Sequence, residues 1–205
     1  GILSGGLFFK QLDGFIYNRT FFNQPYLGDS SVLVDITQAQ NGNTAHLLGM
    51  ELAFQRSLDF LSPKLKPFSI YLNYTYTASK ASIQNRDKNQ PAGSFEDIVL
   101  PGQTTHLGNA ALMYEHRGFF ARAALNFNGE YLSETGPSTE YDLYIQRRIQ
   151  LDCSLGYTIK KKYRVFTELM NLTNQPFESY MGDESHKVQR EFYGFWMRAG
   201  LKFDL

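Results

Sequence analysis

The stretch that most constrains this chain is its last fifteen residues, Glu191-Phe-Tyr-Gly-Phe-Trp-Met-Arg-Ala-Gly-Leu-Lys-Phe-Asp-Leu205. Taken two at a time, they place Tyr193, Phe195, Met197, Ala199, Leu201, Phe203 and Leu205 on one face. Gly194, Trp196, Arg198, Gly200, Lys202 and Asp204 fall on the other. Side chains alternate across a strand, so a wholly apolar face backed by a small and charged one predicts a sheet between two different solvents. The run is also long. A strand in a soluble protein has a mode of about 5–6 residues, whereas a tilted strand crossing a bilayer needs roughly 9–11.

The same alternation recurs seven times upstream. A first, blurred and glycine-rich strand spans Ile2 to Asn18, and a polar segment follows from Thr20 to Asn43, with Val32 to Ile36 inside it placed to extend as strand above a membrane. Leu48, Met50, Leu52 and Phe54 then share a face, as do Phe68, Ile70, Leu72, Tyr74 and Tyr76 in the third strand. The fourth sets Ala110, Leu112 and Tyr114 against Asn109, Ala111, Met113 and Glu115. The fifth, running to Tyr131, sets Phe119, Ala121, Ala123, Leu125 and Phe127 against Arg122, Asn126, Asn128 and Glu130. The sixth sets Ile149, Leu151, Cys153, Leu155, Tyr157 and Ile159 against Arg148, Gln150, Asp152 and Ser154. The seventh sets Tyr163, Val165, Thr167 and Leu169 against Arg164, Phe166 and Glu168. Glu191 to Leu205 is the eighth.

Two tight connections predict registers. If His116 pairs with Phe119 across Arg117-Gly118, Tyr114 lies opposite Ala121 and Leu112 opposite Ala123, so the apolar faces coincide. Pairing Ile159 with Tyr163 across Lys160 to Lys162 does the same, and it sets Ser154 opposite Glu168. Connections of one parity are short, and those of the other are long and polar. That asymmetry, with strands of about ten residues, is the pattern of an antiparallel up-and-down transmembrane β-barrel. Tyrosines and phenylalanines near strand ends (Tyr74, Tyr76, Tyr114, Phe119, Tyr157 and Tyr163) fit aromatic girdles at the two membrane interfaces. A soluble β-sandwich binding module also alternates. It would enclose Arg122, Glu130, Asp152, Arg164, Glu168, Arg198 and Lys202, where each unpaired charge costs several kcal/mol.

Other chemistries find little support. Lys plus Arg equals Asp plus Glu, so charge points to no nucleic-acid partner. One cysteine allows no intrachain disulfide. His46, His106, His116 and His186 fall in no metal-ligand spacing, and no nucleophile or nucleotide-loop motif occurs, so neither a catalytic residue, a metal nor a cofactor is expected. No apolar run is long enough for a membrane helix, which is compatible with a membrane barrel.

Several stretches are similar to a known family: Phe15-Ile-Tyr-Asn-Arg-Thr20, Asn41-Gly-Asn-Thr-Ala-His-Leu-Leu-Gly-Met-Glu-Leu52, Tyr71-Leu-Asn-Tyr-Thr-Tyr-Thr77, Leu100-Pro-Gly-Gln103, Asn171-Leu-Thr-Asn-Gln-Pro176, Gly182-Asp183 and Gln189-Arg-Glu-Phe-Tyr-Gly194. In this order they resemble the C-terminal part of TonB-dependent outer-membrane receptors of the Bacteroidota type. The resemblance implies a 22-stranded barrel around an N-terminal plug, of which residues 1–205 supply about eight strands. The plug and the earlier strands would then lie outside this chain, which starts within a sheet. It further implies import of a scarce nutrient such as a ferric siderophore, cobalamin or an oligosaccharide. The partners would be membrane lipids, the plug, the TonB complex and the barrel-assembly machinery. Arg198, Gly200, Phe203 and Leu205 resemble the C-terminal barrel-assembly signal, with Leu where Phe or Trp is commoner. By their alternation Glu115, Arg122, Glu130, Asp152, Arg164, Glu168, Arg198 and Lys202 face the lumen, where they hold the plug by salt bridges or satisfy one another across the wall. Phe177, Tyr180 and Trp196 are candidate ligand contacts. The competing expectation is a self-contained eight-stranded outer-membrane barrel with a structural or adhesion role, since eight strands suffice to close.

Overall fold

Tight turns fix the register of the wall. Arg117 and Gly118 both have positive φ, 49° and 87°, the conformation whose twist suits a two-residue hairpin. His116 pairs with Phe119, Tyr114 with Ala121 and Leu112 with Ala123, as the sequence predicts. The other tight connection places Lys160 and Lys161 at φ 50° and 61°, and Ile159 then pairs with Tyr163 and Ser154 with Glu168.

The computed structural model describes every residue except Lys88, Ala92, Asp204 and Leu205. Its strands are β1 (Ile2–Asp13), β2 (Ile16–Tyr26), β3 (Asp29–Asn41), β4 (Thr44–Ser57), β5 (Phe68–Gln84), β6 (Phe95–Ile98), β7 (His106–His116), β8 (Phe119–Asn128), β9 (Tyr131–Glu134), β10 (Leu143–Ile145), β11 (Arg148–Ile159), β12 (Tyr163–Met170), β13 (Phe177–Met181), β14 (Lys187–Glu191) and β15 (Trp196–Phe203). Among the described residues, helix is limited to three-residue 3-10 turns at Leu58–Phe60, Pro63–Leu65 and Thr139–Tyr141. No helix among them is long and apolar enough to cross a membrane.

The fold is all-β and antiparallel. The main sheet runs β1-β4-β5-β7-β8-β11-β12-β15, with β6 added to the outer end of β5. Each strand of the wall pairs with the next wall strand in the chain, the order of an up-and-down barrel. Among the described residues β1 pairs only with β4 and β15 only with β12, so these two are the edges of an open sheet. The lipid-side rows follow the expected parity. Leu3, Phe54, Leu72, Ala110, Leu125 and Leu151 form one cross-strand rung, and Leu7, Met50, Tyr76 and His106 form a higher one. Aromatic contacts gather at both ends of this face. Phe68 meets Tyr114 at 4.8 Å and Tyr163 meets Phe203 at 5.7 Å near the short turns. Phe9 stacks on His46 at 5.9 Å and Tyr76 meets His106 at 5.4 Å near the long connections. From Phe68 to Tyr76 the strand rises roughly 26 Å at about 3.3 Å per residue. That is the scale of an apolar band about 25 Å tall.

Three expectations need correction. The first strand is two: Gly14, at φ 64°, breaks Ile2–Asp13 from Ile16–Tyr26. The expected strand at Val32 to Ile36 is present within β3, which pairs with β2 as a separate hairpin. The fifth strand ends at Asn128, which removes Glu130 from the wall. The last strand is likewise broken, with Gly194 at φ 71° between β14 and β15, and the two belong to different sheets. Of the barrel-assembly residues, Arg198, Gly200 and Phe203 lie on β15, and Leu205 is outside the described residues.

Candidate functional site: lumen face and outer loop layer

The lumen face carries its charges in rungs. Arg122, Ser154, Glu168 and Arg198 align across β8, β11, β12 and β15, and Arg164 lies opposite Lys202 two rungs lower on the same face. Glu168 accepts from Nε of Arg198 at 2.9 Å, and the Arg164 guanidinium lies 5.3 Å from the Phe120 ring. Phe120, Arg122, Arg164, Phe166, Glu168 and Lys202 line a depression of about 350 Å³. It therefore gathers four of the predicted lumen charges. Gly200 is needed there, because the Phe166 ring lies within 2.7 Å of where its Cβ would be. Asp152 has a different role. It accepts from the Asn126 amide at 2.9 Å, the Gln150 amide at 2.8 Å and the Asn171 N–H at 2.9 Å, tying the top of the wall to the next connection. Glu115 stands exposed beside the short-turn end.

Above the wall, the long connections fold into a second layer. β9, β10, β13 and β14 form one four-stranded sheet drawn from two connections. The β2–β3 hairpin joins it through Thr20 and Thr135, with Thr20 N–H donating to Thr135 O at 2.9 Å and Thr135 N–H to Asn18 O at 3.1 Å. The connection after β5 is locked in by Arg86, whose side chain is 2% exposed. Its guanidinium pairs with Glu96 and with Asp142, a carboxylate 3% exposed from a third connection. Asp142 Oδ1 also accepts the Gly136 N–H at 2.9 Å, and its backbone carbonyl accepts the Gly182 N–H at 3.0 Å. One carboxylate residue thus ties together three of the outer connections. Burial lowers the Arg86 pKa, but hydrogen bonds and charge from Asp142 and Glu96 outweigh that, so the guanidinium stays protonated. Burial pushes the Asp142 carboxyl above its ordinary value, against the pull of Arg86 and the Gly136 N–H.

At one edge of this layer lies a groove of about 940 Å³ between the 139–144 and 181–188 segments. Tyr141, Tyr144, Glu140, Asp183, His186 and Lys187 are among its lining. Tyr144 is held flat by stacking on Tyr180, with centroids 5.3 Å apart and planes within 10°. The Tyr180 hydroxyl donates to Glu130 Oε2 at 3.1 Å. Burial, reinforced by Glu130, raises the Tyr180 pKa and keeps its phenol protonated. Lys187 is held 3.3 Å from Glu178, which also takes Arg190 at 3.0 Å. Asp183 caps its own turn, accepting the Ser185 N–H at 2.8 Å, and those Ser185 hydrogen bonds hold its carboxyl below its ordinary value. Among the described residues no group of His, Cys, Asp or Glu is arranged to hold a metal ion.

The three aromatic residues singled out in the sequence are therefore separated. Tyr180 is 5% exposed and supports the groove from behind Tyr144. Phe177 is half-buried at the start of β13, opposite Glu191. Trp196 is 51% exposed on the lumen-side row of β15. Sequence reasoning missed Arg86, Asp142, Tyr141 and Tyr144. Arg86 and Asp142 are 56 residues apart, and no local pattern links them.

The model of the family described as "TonB dependent receptor-like, beta-barrel" matches residues 1–172. The chain belongs to this family. No curated protein and no solved structure matches it. TonB-dependent receptors are transporters of the outer membrane, and the full-length proteins carry a plug domain and engage TonB. The antiparallel up-and-down wall has its place in such a receptor barrel.

Proposed function

We propose that residues 1–205 are the C-terminal part of a 22-stranded receptor barrel of the Bacteroidota type, whose missing strands cover the edges of β1 and β15. The observation that carries this reading is the pair of unpaired edges at the depth of the lipid-facing rungs. In lipid each unsatisfied backbone group costs several kcal/mol, so an open sheet must be completed. The lumen charges Arg122, Arg164, Glu168, Arg198 and Lys202 then meet the plug, with Asp152 and Glu115 bracketing them, and Glu130 serves the outer layer. Arg198, Gly200, Phe203 and Leu205 are offered to the barrel-assembly machinery.

The imported nutrient we assign to the oligosaccharide class. The outer groove joins the aromatic faces of Tyr141 and Tyr144 to Glu140, Asp183 and Lys187. Flat rings and charged hydrogen-bonding groups suit a polyhydroxylated neutral ligand, and the mixed charge gives no attraction for an anionic ferric siderophore. Trp196 and Phe177 supply further aromatic contact nearer the lumen. The test is calorimetric titration of the full-length receptor with an oligosaccharide panel, a ferric siderophore and cobalamin. Saturable oligosaccharide binding, weakened at least tenfold by Tyr141→Ala, is expected. Tight binding of the siderophore or cobalamin alone would overturn the assignment.

A further inference from the structure

The lipid side of the wall is not uniformly filled. Gly108 and Ala110 occupy consecutive lipid-side positions on β7, where neighbouring strands carry Leu72, Tyr74, Leu125 and Phe127. The result is a hollow of about 530 Å³, lined by those residues together with Leu3, Leu52 and Phe54. It crosses five strands, from β1 to β8, and at about 4.8 Å per spacing it is roughly 19 Å long. It spans only two rungs, so it is long, narrow and almost wholly apolar. Its long side toward the outer interface carries a polar feature at the middle strands β5 and β7: the Tyr74 hydroxyl shares a hydrogen bond of 2.7 Å with His106 Nδ1, and the Tyr76 ring stands 5.4 Å from His106. That feature lies in the aromatic girdle on the side of the long connections.

We propose that this hollow is a binding site for one acyl chain of an outer-leaflet membrane lipid, with the lipid's ester region at His106 and Tyr74. Three observations select this occupant. The hollow faces the bilayer, just inward of the girdle where glycerol esters or sugar esters sit. Its width of two rungs admits an unbranched chain and excludes a packed helix or a second wall. Its one polar feature borders the long side that faces the outer interface, where a lipid head lies. An apolar depression that neighbouring chains bridged without filling would lose dispersion contacts along its whole lining, and an ordered chain recovers them.

The backbone permits a direct test. A Cβ at Gly108 would meet the Asn73 carbonyl oxygen at 3.6 Å and the Tyr74 ring at 3.7 Å, which is ordinary contact. Leucine at this position therefore fills the hollow without breaking the sheet. The experiment is native mass spectrometry of the full-length receptor, extracted from outer membranes in mild detergent and carried through extended detergent exchange. Wild type should retain one acyl lipid per barrel. Gly108→Leu should lower its occupancy at least fivefold. Ala199→Leu, a lipid-side change on β15, should leave it unchanged. Gly108→Ala, the smaller change, should lower it in part, which keeps the test informative if the leucine variant fails to assemble. Equal occupancy in wild type and Gly108→Leu, or equal loss in Ala199→Leu, would overturn the proposal. So would efficient Gly108→Cys disulfide formation between two barrels in the membrane, because a second copy would then cover the hollow. None of these outcomes depends on which nutrient is imported.

Discussion

The wall and the outer layer are built from the same residue types by opposite rules. In the wall the large apolar side chains point away from the protein: Leu7 is 85% exposed. In the outer layer they point in, with Ile83 at 0% and Leu132 at 1% exposure. The wall fills its interior side with hydrogen-bonded polar chains such as Asn73, which accepts from Asn109 at 2.8 Å. The outer layer buries a charged pair, Arg86 with Asp142. The difference follows from solvent. A surface in lipid gains nothing from hiding leucine, so the wall needs only backbone pairing and matching faces. A layer in water must bury apolar area, and the buried charges within it must be paired.

The largest effect should come from breaking the outer layer at its hub. Asp142→Ala leaves Arg86 buried without its main partner, at a cost of roughly 3–5 kcal/mol. Hydrogen exchange should quicken across β9, β10 and the Gly182 turn while β7 and β8 stay protected. Loss of protection in both would show that the two regions are one cooperative unit. Next is the wall's own rule. Leu112→Arg, on the lipid side of β7, should destabilise the folded barrel by about 2–4 kcal/mol. Met113→Arg, one residue on and facing the lumen, should cost less than about 1 kcal/mol. Urea unfolding in lipid vesicles compares the two, and equal costs would erase the distinction between the faces. A smaller effect, about 1–3 kcal/mol from overpacking, is expected of Gly49→Ala. A Cβ there would sit 2.6 Å from the Tyr76 carbonyl oxygen and closer still to the Phe8 ring. The same titration measures it.

The smallest effect concerns pH. The Asp183 carboxyl is held below its ordinary value by Ser185, with His186 also contributing, so its contribution is present above the ordinary carboxylate value. It is lost as pH falls through the depressed one. Proteolysis of the 182–186 turn should therefore quicken only in strongly acid solution, and Asp183→Ala should abolish that dependence.

The contrast also explains what could be read from the sequence. The wall is local: each strand pairs with the next wall strand, two hairpins turn tightly, and a period of two specifies the face. Registers such as His116 with Phe119 and Ser154 with Glu168 therefore followed from the tight turns together with alternation. The outer layer is non-local. Thr20 bonds Thr135, Arg86 reaches Asp142, and Tyr144 stacks on Tyr180 across separate connections. Strands as short as β10, Leu143–Ile145, carry no periodicity that a sequence can display. Where alternation ran on past a glycine, as at Gly14 and Gly194, it hid a real break. The lipid-side hollow was equally invisible, since Gly108 and Ala110 read only as weak strand residues until β5 and β8 stood on either side of them.

The central claim is that the wall separates lipid from a wet lumen along its whole span. Nitroxide labels placed singly from position 149 to 158 on β11 of the full-length receptor, in lipid vesicles, test it most directly. Accessibility to oxygen should peak at 149, 151, 153, 155 and 157. Accessibility to a water-soluble nickel chelate should peak at the even positions between them. Equal chelate access on both parities, or no period of two, would contradict the account.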